Sequence, residues 1–187
     1  MLDMGIDVNR GDLLISAITL ADDNFSHTVV LICEHADDEG TYGLVLNRPV
    51  TPNEEVLESY PFLEDRLFEG GPVSPGVLQV LHPYGDRLAD SHRIFPGLWF
   101  GADFDELQSG FRAGLYHPSE CRFFVGYSGW AKGQLASEFE LNTWISVQGN
   151  ADLVLRTPPD EIWSRAVRLR GDGEPIYRHF PHNPMWN

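Results

Sequence analysis

The chain has 187 residues, of which 42 % are hydrophobic and 22 % are charged, and its formal net charge is −15. A chain of this length can bury roughly 70 % of the surface that its unfolded form exposes, so the composition argues against disorder and predicts a single domain over residues 1–187. Residues 1–110 hold 20 acidic residues against five arginines, and a field of this sign opposes direct binding to nucleic acid.

The first part of the chain alternates apolar runs with turn signals. Residues 13–20 are mostly apolar and predict a buried strand, which a turn at 22–24 follows. The run 28–35 is apolar on both faces and predicts a central strand. Residues 37–40 have hairpin-loop chemistry and lead to a strand over 42–49, so we expect these two strands to pair antiparallel.

The middle of the chain predicts one short helix, one strand and one loop. Thr51 is the expected N-cap of the helix, with Pro52 at its first position. A sharp turn at 69–73 precedes a strand over 77–81. Polar residues dominate 84–93 and predict a surface loop.

The remaining segments complete an α+β pattern. Strands are predicted over residues 98–100, 121–127 and 144–147. Helices are predicted over 103–111, after Ser128 and after Thr157, with Ser128 and Thr157 as N-caps. From residue 171 onward a Pro- and His-rich tail is not expected to join the core.

The length of the apolar stretches and the surroundings of the two cysteines predict the cellular compartment. The longest strongly apolar stretch, 28–33, is far shorter than the roughly 20 residues needed to cross a bilayer, and the N-terminus has no basic, apolar leader. Cys33 and Cys121 each lie in an apolar run, which predicts buried, reduced thiols. We therefore expect a cytoplasmic protein with no membrane contact.

One segment superficially resembles the turn that exposes the serine of α/β-hydrolases. It is residues 126–130, Gly-Tyr-Ser-Gly-Trp. The hydrolase turn needs glycine two residues after the serine, and Trp130 occupies that position. The sequence therefore favours Ser128 as a helix cap over a nucleophile.

No cofactor or metal is predicted. Gly70 and Gly71 are not followed by the Gly-Lys-Ser/Thr of a phosphate-binding loop. His179 and His182 flank Pro181, which prevents the regular helix that would align the two rings on a metal.

Six polar residues form the candidate binding patch: Glu34, His35, Asn47, Arg48, Gln134 and Glu138. The first pair ends one strand of the predicted hairpin and the second pair ends the other, so the pairs meet only if the strands bend. The last two residues are four apart and share one helix face. The alternative interpretation is that all six hydrogen-bond strand ends and loops.

Several segments, in this order, resemble the AlgH/YqgE family of bacterial proteins. They are Gly11-Asp12-Leu13-Leu14, Phe25, the run 28–35, Gly43 to Pro49, Gly70-Gly71-Pro72-Val73, Leu81-His82, the run 126–130, Gly133-Gln134-Leu135 and Glu138. The similarity covers about 11–170, and the tail 171–187 lies outside it. The resemblance implies a bifurcated, barrel-like, mainly antiparallel sheet surrounded by helices. Similar proteins commonly carry alanine at the position of Ser128.

Three functions stay open at this point. The first is a non-enzymatic binding or regulatory domain that contacts a protein or a small ligand. The family label suggests the second, a transcriptional regulator that acts indirectly, although no enzymatic activity is established for the family. The third is an enzyme that uses Glu34, His35 or Glu138 as acid or base.

Overall fold

The computed structural model describes residues 8–17, 27–36 and 38–170. Within these ranges the chain forms nine strands: β1 Asp12–Ser16, β2 Val29–Ala36, β3 Gly40–Val45, β4 Leu67–Glu69, β5 Val73–His82, β6 His92–Phe95, β7 Leu98–Phe100, β8 Arg122–Trp130 and β9 Trp144–Gln148. It also forms five α-helices: α1 Glu54–Ser59, α2 Phe104–Arg112, α3 Gln134–Glu140, α4 Ala151–Arg156 and α5 Pro159–Leu169. The α+β class is confirmed. None of the helices in the described part is long and apolar enough to span a membrane.

The strands form one mainly antiparallel sheet with the order β6-β7-β5-β8-β3-β2-β1-β9. The short strand β4 pairs parallel with β8, off this path. Because β8 pairs with β4 and β5 along its first half and with β3 at its end, the sheet forks there. In the described ranges the sheet does not close into a barrel, and β6 and β9 are its two ends. The predicted central position of β2 and its antiparallel pairing with β3 are confirmed.

Glycines at the fork let two segments approach each other. Gly126 has φ of 69°, which favours glycine, and a Cβ there would lie 2.5 Å from the carbonyl oxygen of Gly71. A side chain at this position would separate the turn before β5 from β8. The Gly-Gly-Pro-Val and Gly-Tyr-Ser-Gly-Trp segments thus contact each other.

The largest core cluster lies between the sheet and the last helices. Buried side chains of β1, β2 and β3 contact Ile162, Trp163 and Ala166 of α5. In the sequence, their positions at 162, 163 and 166 have the spacing of one helix face, so this part of the core can be predicted from periodicity alone. The cluster attaches α5 to the centre of the sheet.

Three predicted helix N-caps are wrong: Thr51, Ser128 and, as described in the next paragraph, Thr157. The N-cap of α1 is Asn53, whose Oδ1 accepts a hydrogen bond from Val56 N at 2.9 Å, and not Thr51. Ser128 lies inside β8, and α3 begins only after Gly133. Thr51 and Asn53 are both residue types able to cap a helix, whereas Ser128 is excluded as a cap because its segment pairs with β3.

Thr157 was predicted as the N-cap of the last helix, but it ends the unpredicted helix α4. Its neighbour Pro158 precedes α5, which begins at Pro159. Two prolines in succession separate the helices because proline fixes an extended conformation in the residue before it.

Other boundaries also differ. The predicted strand 42–49 ends at Val45, and Pro49 makes only an isolated bridge to Phe68. The predicted surface loop 84–93 contains a buried Tyr84, a 3₁₀ turn and the start of β6. Residues 18–20, the turn at 22–24, Asp37 and the tail with His179 and His182 lie outside the described residues.

Both cysteines are buried and free, as predicted. Burial raises the pKa of both thiols, that of Cys121 to about 12. Each thiol is therefore protonated at neutral pH, which makes it a poor nucleophile.

A fully buried histidine joins β5 to the segment before α2. The Nδ1 of His82 accepts a hydrogen bond from Tyr84 N at 3.2 Å, so Nε2 carries the proton and donates to the carbonyl of Gly101 at 2.8 Å. Burial lowers the pKa of His82 below its ordinary value of 6.5. The folded protein therefore holds this ring neutral.

We expect His82 to make the protein less stable in acid. Below pH 6.5 the unfolded chain binds a proton that the folded chain resists, so the contribution of this ring is present above pH 6.5 and is lost as the pH falls. The loss approaches about 1.4 kcal/mol per pH unit. Urea unfolding at neutral and acidic pH should show a smaller acid loss for His82→Gln than for the parent, whereas His92→Gln, at an exposed histidine, should match the parent. An equal acid loss in all three proteins would refute this role.

Candidate functional site

Three strands place side chains from distant parts of the sequence in one row. Glu34 of β2 pairs with Tyr42 of β3, and Tyr42 pairs with Gly129 of β8. Directly paired residues point to the same face of a sheet, so the carboxylate, the phenol ring and the glycine lie side by side. The next row, His35, Thr41 and Trp130, points to the opposite face.

A β-bulge decides which residue stands beside Tyr42. The pairing of β2 with β3 shifts between Ile32 and Glu34, so Cys33 is the additional residue. Without the bulge Cys33 would pair with Tyr42, and Glu34 would move to the other face. The bulge therefore places the exposed carboxylate of Glu34 beside Tyr42, next to the buried thiol of Cys33.

A cleft of about 580 Å³ lies beside this end of the sheet. Its lining includes Arg10, Glu34, Glu39, Tyr42, Tyr127 and Trp130. We call it the hairpin cleft, because most of its wall comes from the end of the β2–β3 hairpin. Two carboxylates and one guanidinium give the lining an acidic balance.

Two stacked tyrosines form one part of the cleft wall, and a hydrogen bond fixes one of them. The rings of Tyr42 and Tyr127 lie 4.4 Å apart at 21°. The hydroxyl of Tyr42 donates to Oε1 of the buried Gln79, whose Nε2 donates to the carbonyl of Gly126 at 3.0 Å. Burial is the main cause that raises the pKa of Tyr42, and Glu34 adds to it. The ring is therefore neutral and held in place.

Gln134 and Glu138 fix Trp130 on the other face of the sheet. Glu138 Oε2 accepts from the indole nitrogens of Trp130 at 2.9 Å and Trp144 at 2.6 Å. Gln134 donates to Glu138 Oε1 at 3.0 Å and accepts from Ala131 N at 3.1 Å. The carboxylate of Glu138 therefore orients two indoles.

Asn47 and Arg48 lie at the opposite end of the hairpin. Asn47 accepts a hydrogen bond from Val29 N at 3.0 Å and donates to the carbonyl of His27 at 2.9 Å. Val29 precedes Glu34 by five residues along β2, which is roughly 16 Å of strand. The carbonyl of Arg48 accepts from Glu69 N at 2.8 Å.

The six candidate residues thus occupy three places. Glu34 and His35 line the hairpin cleft, from opposite faces of the strand. Gln134 and Glu138 support Trp130 from behind, and the remaining pair lies at the other end of the hairpin. His35 contacts Thr41 through its Nδ1, 2.7 Å from the hydroxyl oxygen.

Ser128 and Cys33, two side chains of nucleophilic type, are turned inward. Ser128 is fully buried, and its hydroxyl donates to the carbonyl of Gly70 at 3.0 Å. Cys33 is buried and protonated. Across 8–17, 27–36 and 38–170 no group of three His, Cys, Asp or Glu side chains is placed to hold a metal ion.

Sequence reasoning missed the residues that give the cleft its shape. Tyr42 and Tyr127 read as ordinary members of apolar strands, Gly129 follows the predicted helix cap Ser128, and Arg10 precedes the first predicted strand.

Fold and site together define a class of α+β domains with a forked antiparallel sheet and an open cleft at the end of one hairpin. Residues 13–173 match the profile of the AlgH-like family, DUF179, and the chain belongs to this family. A UPF0301 protein of Chlorobium chlorochromatii is 36 % identical over 181 residues, which cover 96 % of each chain. A UPF0301 protein of Cytophaga hutchinsonii is 36 % identical over 183 residues, covering 96 % of this chain and all of its own.

Solved structures agree with this assignment. The solution structure of the AlgH protein from Pseudomonas aeruginosa has a TM-score of 0.71 and 30 % identity, and covers 93 % of this chain and 94 % of its own. A crystal structure of a Corynebacterium diphtheriae protein has a TM-score of 0.72 at 22 % identity, covering 95 % and 94 %, and shows the same fold.

Proposed function

We propose that this protein is a non-enzymatic binding domain whose ligand occupies the hairpin cleft. The observation that carries the proposal is the row of Glu34, Tyr42 and Gly129 beside the ring of Tyr127. It combines an exposed carboxylate, a stacked pair of tyrosine rings and a position without a side chain in an open, mainly polar cleft, where placed polar groups can orient a ligand.

The same geometry argues against the acid–base enzyme. Glu34 and His35 both line the cleft but lie on opposite faces of β2, and Glu138 is engaged by two indoles, so the three do not form one hydrogen-bonded set. A general base must reach the proton it removes, and a nucleophile must reach its base. Ser128 of β8 and Cys33 of β2 are both buried.

A fragment titration tests the proposal. Amide shifts in ¹H–¹⁵N spectra would be followed while small guanidines, amines, carboxylates and neutral aromatics are added one at a time. We expect at least one class to shift the amides of Glu34, Tyr42 and Gly129 together. Gly129→Val should abolish the shifts, because the new side chain fills the gap and its Cβ meets Tyr127 at 3.4 Å. Glu58→Gln, on the exposed side of α1, should behave as the parent.

Two outcomes would contradict a binding role for the cleft. One is that no fragment class shifts the cleft amides. The other is that Gly129→Val responds as the parent does, because the gap would then hold no ligand.

Any regulatory role of this protein would act through contact with another protein and not through binding to DNA. Phosphate backbones bind through lysine and arginine, and a chain with net charge −15 gains little from counterion release. Fluorescence anisotropy with labelled duplexes at physiological salt should show no specific binding. Sequence-selective binding with submicromolar affinity would instead favour a direct transcriptional regulator.

A further inference from the structure

Resting on the proposed function, we infer that the hairpin cleft binds an arginine side chain presented by a partner protein. Stacking supplies the first argument. A guanidinium is planar and stacks on aromatic ring faces, where the ring quadrupole attracts its charge. Tyr42 and Tyr127 stack on each other and Phe100 is tilted against Tyr42, so the ring surface within reach of a guanidinium is the outer side of this stack, which is flat and lacks the several walls of a cage for a methylated ammonium.

The position of Glu34 supplies the second argument. Cross-strand neighbours have Cβ atoms roughly 5 Å apart, so the carboxylate of Glu34 reaches a group stacked beside Tyr42. Carboxylates pair with guanidinium groups through two parallel hydrogen bonds. Gly129, on the other side of Tyr42, carries no side chain, and Tyr127 and Val73 border the space above it, where the arginine stem would lie.

Charge agrees with a cationic ligand. The cleft lining carries Glu34 and Glu39 against Arg10, and the whole chain has a net charge of −15. A field of this sign accelerates the approach of basic partners and repels acidic ones.

Residues 73–77, which we call the exposed arm, begin at the cleft and carry two exposed valines. They favour a peptide segment of a protein as the ligand over a free small molecule. Val73 lines the cleft and is 37 % exposed, and Val77, on the same strand, is 49 % exposed. The pairing of β5 with β8 shifts register between Val73 and Leu78, so the residues between them bulge away from the regular strand pairing. Residues that flank an arginine in a peptide would contact these valines.

The test compares three short peptides that differ at one position: arginine, lysine or citrulline, the neutral isostere of arginine. Binding to the full chain would be measured by amide shifts and fluorescence anisotropy in about 150 mM salt. We expect the arginine peptide to bind at the cleft, with the lysine peptide weaker and the citrulline peptide weaker by roughly tenfold or more. Glu34→Gln should weaken the arginine peptide by roughly tenfold, and Glu58→Gln should not change its affinity.

The possible negative results separate failure of the arginine inference from failure of the proposed binding function. Equal binding of the arginine and citrulline peptides, or an unchanged affinity for Glu34→Gln, would overturn the arginine proposal. Binding of free arginine as tightly as the peptide would overturn the protein partner. If neutral or anionic fragments shift the cleft amides while no peptide does, the binding function survives and only this inference fails. If nothing shifts those amides, both fail.

Discussion

Replacing Trp130 with alanine should lower the free energy of unfolding by about 3–5 kcal/mol, as for other large aromatic residues removed from a core. Trp130 is 5 % exposed and lies in a cluster with Leu135 of α3 and Trp144 of β9. Its ring meets that of Trp144 edge-on, 6.0 Å between centroids. Alanine would leave a cavity between the sheet and α3 and remove one donor from Glu138. Urea unfolding followed by circular dichroism measures the loss.

Two further variants separate the ring from its hydrogen bond. Trp130→Phe keeps most of the packing but removes the indole nitrogen, so it should lose clearly less than the alanine variant. Leu141→Ala, at a residue that is 77 % exposed, should stay within about 0.5 kcal/mol of the parent. If Trp130→Ala unfolds like the parent, the ring is not part of the core and serves the cleft alone.

The second large effect is expected at Arg122, a buried cation that sequence reasoning did not single out. Its guanidinium donates to the carbonyl of Leu46 at 3.0 Å and to the carbonyl of Thr157, and it lies 5.0 Å from the ring centre of Phe68. Burial lowers the pKa of Arg122 to about 10, so the group is charged at neutral pH. It connects the end of β3, the end of α4 and β8.

Arg122→Met should lower the free energy of unfolding by roughly 2–4 kcal/mol, because two buried carbonyls lose a charged donor while the volume is kept. Arg122→Lys keeps the charge but not the planar fork that reaches both carbonyls, so we also expect a clear loss. Arg156→Met, at an exposed arginine of α4, is the matched control. A methionine variant as stable as the parent would show that desolvating the guanidinium costs as much as its hydrogen bonds contribute.

Both predictions involve β8, which contacts more of the fold than any local pattern indicates. Its first residue, Arg122, reaches the main core, and its last residue, Trp130, reaches the α3 side. Between them, Ser128 is buried and bonded to the backbone of Gly70. The sequence placed a helix cap at Ser128 because cap and strand residues overlap in type, and only pairing with β3 shows that the strand continues.

The candidate site was predictable in part. Glu34 and His35 were recognised as a polar end of an apolar strand, and both line the hairpin cleft. Asn47 and Arg48 looked equivalent by the same criterion, but their bonds tie loops and strand ends together. A polar residue at a strand end satisfies backbone groups or faces a ligand, and the two roles have the same local signature.

The sequence by itself determined the α+β class, most strands, the apolar face of α5 and the antiparallel pairing of β2 with β3. These features depend on periodicity and on turns between neighbouring segments, so local residues are sufficient. Only the tertiary structure decided the forked sheet, the bulge at Cys33 and the row that joins Glu34 and Tyr42 to Gly129. Register between strands far apart in the chain is chosen by the packing of the whole core, and a shift of one residue turns every side chain to the other face.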